Sequence, residues 1–334
     1  MSRNPQTGMT LVELMIAMVI GLVLIGATSA VYISNKDTYR TSETVTRMQE
    51  NGRIALHLII DDLRMAGFMG NNTNPVLVEN RSGSATPLDA LDGASGTDDC
   101  ATGWYIDTSS MLLVGNDQAP VLNSTSLSTT CLSGKDLQAG TDVIALKRAA
   151  AGVIDDDAVD DPAHDTWTLI RSDLMHGAFF LGGQPLPTGM TVAATNRRWL
   201  AHVYFIAPDD DDQDLPELRR LTLGSGPNFY NRELIPGIQD LQIHYGIDTS
   251  GDGAPDSFVE PGTEGAATVV AARVWLLMRS ETREPGHDDS VNTYTYASKS
   301  YTPGDGSDIE IAGDPKQYRR LLLSATVTLR NDWN

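Results

Sequence analysis

Residues 14–33 read LMIAMVIGLVLIGATSAVYI, 20 positions without a charge. At ~1.5 Å rise per residue, a helix of that length covers ~30 Å, the hydrocarbon thickness of a bilayer. A chain that begins in this way either crosses a membrane with this segment or loses it as a secretory signal. Three features oppose a cleaved signal. The run exceeds the roughly 7–15 residues of a signal core. The small residue Gly8 lies before the apolar run rather than after it, and Glu13 interrupts the run near its beginning.

Glu13 needs its own account. A carboxylate at the membrane edge costs up to ~2.5–3.5 kcal/mol on insertion scales, and such groups are as a rule paired and functional. A cut between Gly8 and Met9 would create an α-amine four residues from Glu13, a natural partner in the same chain or in a neighbour. The residues leave a second reading open, in which Glu13 snorkels to the interface.

The segment Gly8-Met9-Thr10-Leu11-Val12-Glu13-Leu14-Met15, followed by the unbroken apolar run, resembles the prepilin N-terminus of type IV pilins and type II secretion pseudopilins. That family has a short polar leader ending in Gly, then Phe-Thr-Leu-Xaa-Glu; Met9 stands here in place of the Phe. The resemblance implies that a prepilin peptidase cuts after Gly8 and methylates the amine of Met9. It also implies that Glu13 acts in assembly, pairing with the amine of an adjacent subunit.

Beyond the membrane the pattern changes. In residues 34–66, Val45, Met48, Leu56, Ile59, Leu63 and Ala66 recur at helical spacings with polar residues between them, as in an amphipathic helix lying on protein. Gly67 is the expected stop. From about 71 to 235 short strands are expected between turn-rich loops, with strands at 111–114, 142–146, 167–170 and 201–206. The acidic stretch Asp155–Asp157 is expected as a loop, and Asp209–Asp212 as a solvated loop or one that attracts calcium. Leu241, Ile243, Tyr245 and Ile247 alternate as in a half-buried strand, 268–278 is a longer apolar strand, and 293–301 and 321–330 follow. Strands in series without intervening helices suggest an antiparallel sheet that covers the amphipathic half of the long helix.

These parts narrow the resemblance. Glu50-Asn51-Gly52-Arg53-Ile54-Ala55-Leu56, then Asp61-Asp62-Leu63-Arg64-Met65-Ala66-Gly67-Phe68, are similar to the post-membrane signature of PilW-type minor pilins. So are Gly246-Ile247-Asp248 leading into Gly251-Asp252-Gly253, the strand ending in Met278-Arg279-Ser280, and the terminal Thr328-Leu329-Arg330-Asn331. Many relatives carry a Cys where this chain has Asn71, so a disulfide must be arranged differently here. The fold implied is α+β and type IV pilin-like, a long N-terminal helix packed on a large antiparallel β-rich head. Its parts would be a leader (1–8), a transmembrane half-helix (9–33), an amphipathic half-helix (34–66) and a periplasmic head (67–334). The function implied is a structural one: a minor pilin of the inner membrane and then of the pilus, which helps to initiate assembly in a tip complex. Its partners would be the prepilin peptidase, other minor pilins and the major pilin, the inner-membrane assembly platform, a tip adhesin and membrane lipid. The alternatives are a type II secretion pseudopilin, or a membrane-tethered enzyme or binding domain.

Two further sites follow. Cys100 and Cys131, the two cysteines of the chain, fall on the side that a prepilin exposes to the oxidising periplasm, where a bridge between them is expected; two separate buried thiols are the alternative. Asp248, Ser250, Asp252 and Asp256 stand at positions 1, 3, 5 and 9 of a calcium-type loop with Gly253 at position 6, but Val259 occupies position 12, where such loops carry Glu. An incomplete calcium site and an ordinary Asp/Gly turn both fit; no cofactor is required.

Other classes are excluded on composition. With 24 basic and 44 acidic side chains the formal charge is −20, which repels phosphate backbones, so no nucleic-acid partner is expected. The six histidines are scattered with no HExxH, and no GxSxG elbow or glycine-rich phosphate loop appears. The chain is therefore not expected to be an enzyme.

Overall fold

The computed structural model describes residues 8–72, 74–81, 100, 103–117, 121–122, 125–126, 132–224, 228–310 and 315–331. Cys131 and leader residues 1–7 lie outside them. Two compact units are formed, Met1–Arg47 and Met48–Asn334.

The first unit is helical. Helix α1 spans Leu11–Met65, and its most apolar 18-residue window has a mean hydropathy of 2.5 with none of it buried within the chain. Ile20, Leu24 and Ile33 are each more than half exposed, which is sustainable only in lipid or among other apolar helices.

The second unit holds the last turns of α1 and the strands. In chain order these are β1 (Val78–Glu79), β2 (Leu112–Gly115), β3 (Val121–Leu122), β4 (Thr125–Ser126), β5 (Val143–Ala149), β6 (Thr168–Ser172), β7 (Gly177–Leu181), β8 (Thr195–Pro208), β9 (Pro216–Leu223), β10 (Phe229–Pro236), β11 (Ile238–Asp248), β12 (Ser257–Val259), β13 (Thr268–Arg279), β14 (Tyr294–Tyr296), β15 (Lys299–Tyr301) and β16 (Arg320–Thr328). A first sheet runs β1-β7-β6-β8-β5-β2, with β9 on β8 and β10 on β9. A second runs β12-β11-β13-β16. Both are antiparallel apart from the short parallel pairing of β1 with β7.

Met48, Ala55, Leu56, Ile59, Leu63 and Ala66 of α1 share one core with Ile144, Tyr204 and Leu218 of the first sheet and Leu241, Val274 and Leu276 of the second. Each Leu or Ile buried there contributes roughly 1.5–3 kcal/mol. Gly52 is buried in the same stripe. Glycine inside a helix costs about 0.5–1 kcal/mol relative to alanine, and here it permits close approach. A Cβ on Gly52 would fall on Cδ1 of Leu323 and 3.1 Å from Cγ of Met278. Gly52→Leu is therefore expected to lift the helix from β13 and β16 and cost about 1–3 kcal/mol. Chemical denaturation followed by tryptophan fluorescence measures it, and an unchanged midpoint would contradict the close-approach account.

The helix ends where the chain turns left-handed at Gly67 (φ 75°). The Gly67 N–H donates to the carbonyl of Lys147 at 2.9 Å, and Phe68 N–H closes back to Met65 O at 3.0 Å. The side-chain amide of Asn331 donates to Ala66 O at 2.6 Å. An orphan carbonyl at the helix end is thus satisfied by the residue that closes the terminal Thr-Leu-Arg-Asn sequence.

The expected strands at 111–114, 142–146, 167–170, 201–206 and 268–278 are present with shifted ends, and β7, β9 and β10 are additional. Residues 293–301 form a hairpin, β14 with β15, rather than one strand, because Ala297 turns at φ 48°.

Candidate processing and assembly site

Gly8, Met9 and Thr10 are exposed and precede the helix without joining it. Among the described residues a Cβ on Gly8 would meet nothing within 4 Å, so none of them demands glycine there. Leu11 is the first helical residue, which makes Thr10 the N-cap and Glu13 the third residue of the first turn. The two form a reciprocal capping box. The Thr10 hydroxyl accepts the Glu13 N–H at 3.3 Å. Oε2 of Glu13 in turn accepts the Thr10 N–H at 2.8 Å and the Thr10 hydroxyl at 2.9 Å. Oε1 takes no donor among the described residues. The carboxylate is thereby aimed along the start of the helix with one oxygen committed and one open. The role of Thr10 escaped the reading of the sequence, although the Thr-x-x-Glu spacing carries the signal.

At the other end of α1, Asp62 is buried, 4% exposed, on the face toward the sheets. Its Oδ1 accepts Nε and Nη2 of Arg148 from β5, at 2.9 and 2.7 Å. Its Oδ2 contacts Nδ1 of His202 at 2.6 Å and accepts the Tyr204 hydroxyl at 2.5 Å, both from β8. Burial alone would raise the Asp62 carboxyl. The His202 hydrogen bond, the positive charge of Arg148 and the Tyr204 hydroxyl outweigh it and hold the group well below the usual carboxylate range. Burial pushes the His202 imidazole down, against the raising pull of the Asp62 carboxylate. An acid, a histidine and a tyrosine in contact resemble catalytic machinery, but Asp62 and His202 are sealed in the protein. The cluster acts as a bolt between helix and sheet.

Cys100 is fully buried and disulfide-bonded, in the core cluster of Trp104, Tyr105, Ile106 and Phe229; Cys131 lies outside the described residues. The Asn71 N–H donates to the Ser172 hydroxyl at 3.0 Å.

The Asp248–Asp256 loop directs its carboxylates inward. Asp248 accepts the N–H groups of Ser250, Gly251 and Gly253 at 3.0, 2.6 and 2.7 Å. Asp256 accepts the N–H and hydroxyl of Thr249 at 2.7 and 2.6 Å. Asp252 accepts the Ala254 N–H at 2.9 Å, and the Ser250 hydroxyl turns to Asp248 at 3.3 Å. These bonds hold both Asp248 and Asp256 below the usual range, led by the Gly253 N–H and the Thr249 hydroxyl respectively. Among the described residues no group of three or more His, Cys, Asp or Glu side chains is placed to hold a metal ion.

Two family models match the chain. Residues 3–29 match the prokaryotic N-terminal methylation motif, which covers Gly8, Met9, Glu13 and most of the exposed apolar helix. Residues 203–331 match type IV pilus-assembly protein W, a range from within β8 to Asn331. Neither the curated proteins nor the solved structures include a match to this chain. The two matches, at opposite ends of a chain with an unburied apolar helix and a mostly β head, support a pilin of the PilW type.

Proposed function

We propose that this chain is a minor pilin, cut after Gly8, methylated at Met9, and held in the inner membrane by residues 9–33 with its head in the periplasm. It joins other minor pilins at the tip of a type IV pilus and primes addition of the major pilin. The observation that carries this reading is the unburied apolar window of α1 directly after a non-helical, exposed Gly8–Thr10. A peptidase can reach that peptide, and among the described residues nothing buries the apolar window that follows it. Glu13 deepens the reading. Thr10 occupies Oε2, which leaves Oε1 for the methylated amine of a neighbouring subunit, where a charge-assisted hydrogen bond in lipid offsets the cost of the buried carboxylate.

The part is structural rather than enzymatic: the chemistry is performed on this chain, by a prepilin peptidase. We further propose a Cys100–Cys131 bridge, since a loop with 30 residues between its cysteines stabilises by roughly 3–4 kcal/mol on closure. The Asp248–Asp256 segment we assign to an Asp/Gly turn, supported by the amide donors that already occupy its carboxylates.

Deletion of the gene tests the assignment against the type II secretion pseudopilin. Loss of surface pili with secretion intact is expected. Normal piliation with failed secretion would transfer the chain to the pseudopilins.

A further inference from the structure

The β9–β10 hairpin sorts its charges by face. Arg219 stands opposite Glu233 across it, and there Arg219 meets three carboxylates: Glu217 at 2.6 Å, Asp210 at 2.8 Å and Glu233 at 3.6 Å. The next pair along the hairpin is Arg220 opposite Arg232, and successive residues of a strand point to opposite sides. Arg220 is also the cross-strand partner of Tyr204 in β8, whose hydroxyl donates to Asp62. The two arginines therefore share the face turned toward α1.

Like charges directly opposite each other weaken an antiparallel pair, and this pair stands unrelieved in a chain with 44 acidic side chains. Arg220 donates from Nε to the Thr222 hydroxyl at 3.1 Å and from Nη1 to the Tyr204 hydroxyl at 3.3 Å. Arg232 lies beside Tyr230, 5.9 Å from its ring centroid. Neither guanidinium forms an ion pair among the described residues. Asp62, the acid of α1 on this face, is already taken up by Arg148, His202 and Tyr204. Asp61, next to it, pairs with His57 at 2.8 Å and Arg64 at 3.1 Å. Arg148, Arg220 and Arg232 thus share a face with one carboxylate, and the surplus is reachable: Arg232 is exposed and Arg220 half-buried.

We propose that Arg220 and Arg232, with Thr222 and Tyr230 beside them, are a docking site for an acidic segment of a partner protein. The Cβ atoms of directly opposite residues are roughly 4.5–5.5 Å apart, so the two guanidinium forks can take one carboxylate from both sides. That carboxylate supplies the charge which the chain itself withholds from the pair. Tyr230 is 48% exposed and stands opposite Thr222 as the next pair on the same face. Arginine beside an exposed tyrosine is the composition of a protein–protein hot spot. The formal charge of −20 repels a phosphate backbone or an anionic bilayer. A short acidic segment on an otherwise neutral or basic partner meets the local cations without that opposition.

Fluorescence anisotropy of a labelled hexaglutamate peptide, added at low salt to the full chain in non-ionic detergent micelles, tests this independently of any role in a pilus. Saturable binding is expected. Arg220→Gln and Arg232→Gln are each expected to weaken it about tenfold or more, and Arg273→Gln, in β13, to leave it unchanged. Arg232→Gln also separates binding from folding. It removes the like-charge conflict, so the thermal midpoint of the head is expected to stay or to rise. A lowered midpoint would show that the arginines serve the fold, and would overturn the proposal. So would a lack of saturable binding, or binding that neither hairpin substitution weakens. Tighter binding of tripolyphosphate than of the peptide would overturn the assignment to a protein segment.

Discussion

Replacing Asp62 by alanine is expected to destabilise the head by about 3–5 kcal/mol, the cost of removing one partner from a buried ion pair. A domain is stable by only about 5–15 kcal/mol, so the loss is large. The effect arises from what remains rather than from what is removed. Arg148, with its side chain 17% exposed, would keep its charge without its carboxylate. The Tyr204 hydroxyl and the His202 N–H, both buried, would lose their acceptor. Asp62→Asn should cost less, since an amide oxygen still accepts from Tyr204 or His202 but does not balance Arg148. A pH signature accompanies this. The folded Asp62 carboxyl lies below its unfolded value of ~3.9. Its contribution is therefore present above that pH and is lost as pH falls below it. Urea denaturation of the native and substituted chains at pH 7 measures the difference, and a change below about 1 kcal/mol would show that the bolt carries little of the helix–head attachment.

The second large effect concerns processing. Gly8→Ala is expected to leave the leader attached and to abolish incorporation into pili. Because a Cβ at Gly8 touches none of the described residues within 4 Å, the fold should be unaltered and the loss should report the peptidase alone. Glu13→Ala is expected to permit cleavage and to block assembly. The helix should persist, since backbone groups in lipid have no alternative partners, although the capping box is lost. Glu13→Gln separates the two contributions of this side chain. Glutamine at this position preserves the box with Thr10 but removes the charge that would meet an amine. If charge pairing drives registration, Gln fails as Ala does. If capping suffices, Gln restores filaments.

The parts legible in the sequence are those whose cause is local. Twenty uncharged residues can do little but cross or enter an apolar medium. The alternation of Leu241, Ile243 and Tyr245 reads directly as β11, whose Leu241 and Ile243 face the helix. β9 and β10 were missed because PELRRLTL and FYNRELIP place charges that a local pattern assigns to solvent. Glu217 and Arg219 are in fact buried beside each other, at 2.6 Å. The hairpin turn at Ala297 lacks the Gly, Asn or Pro that marks such turns. The Asp62 bolt was not legible at all. Its partners stand 86, 140 and 142 residues away, and only the tertiary fold brings them together. Thr10 is an intermediate case: the Thr-x-x-Glu spacing is local and marks a capping box, while the same acid also reads as a lone charge at the membrane edge.

The central claim is that the helix start at Gly8–Thr10 is a processed end. Intact-mass and N-terminal analysis of the native chain, from cells with active prepilin peptidase, measures it directly. The account predicts a chain of 334 − 8 = 326 residues that begins with N-methylated Met9. A chain that retains Met1 in cells bearing normal pili would contradict it.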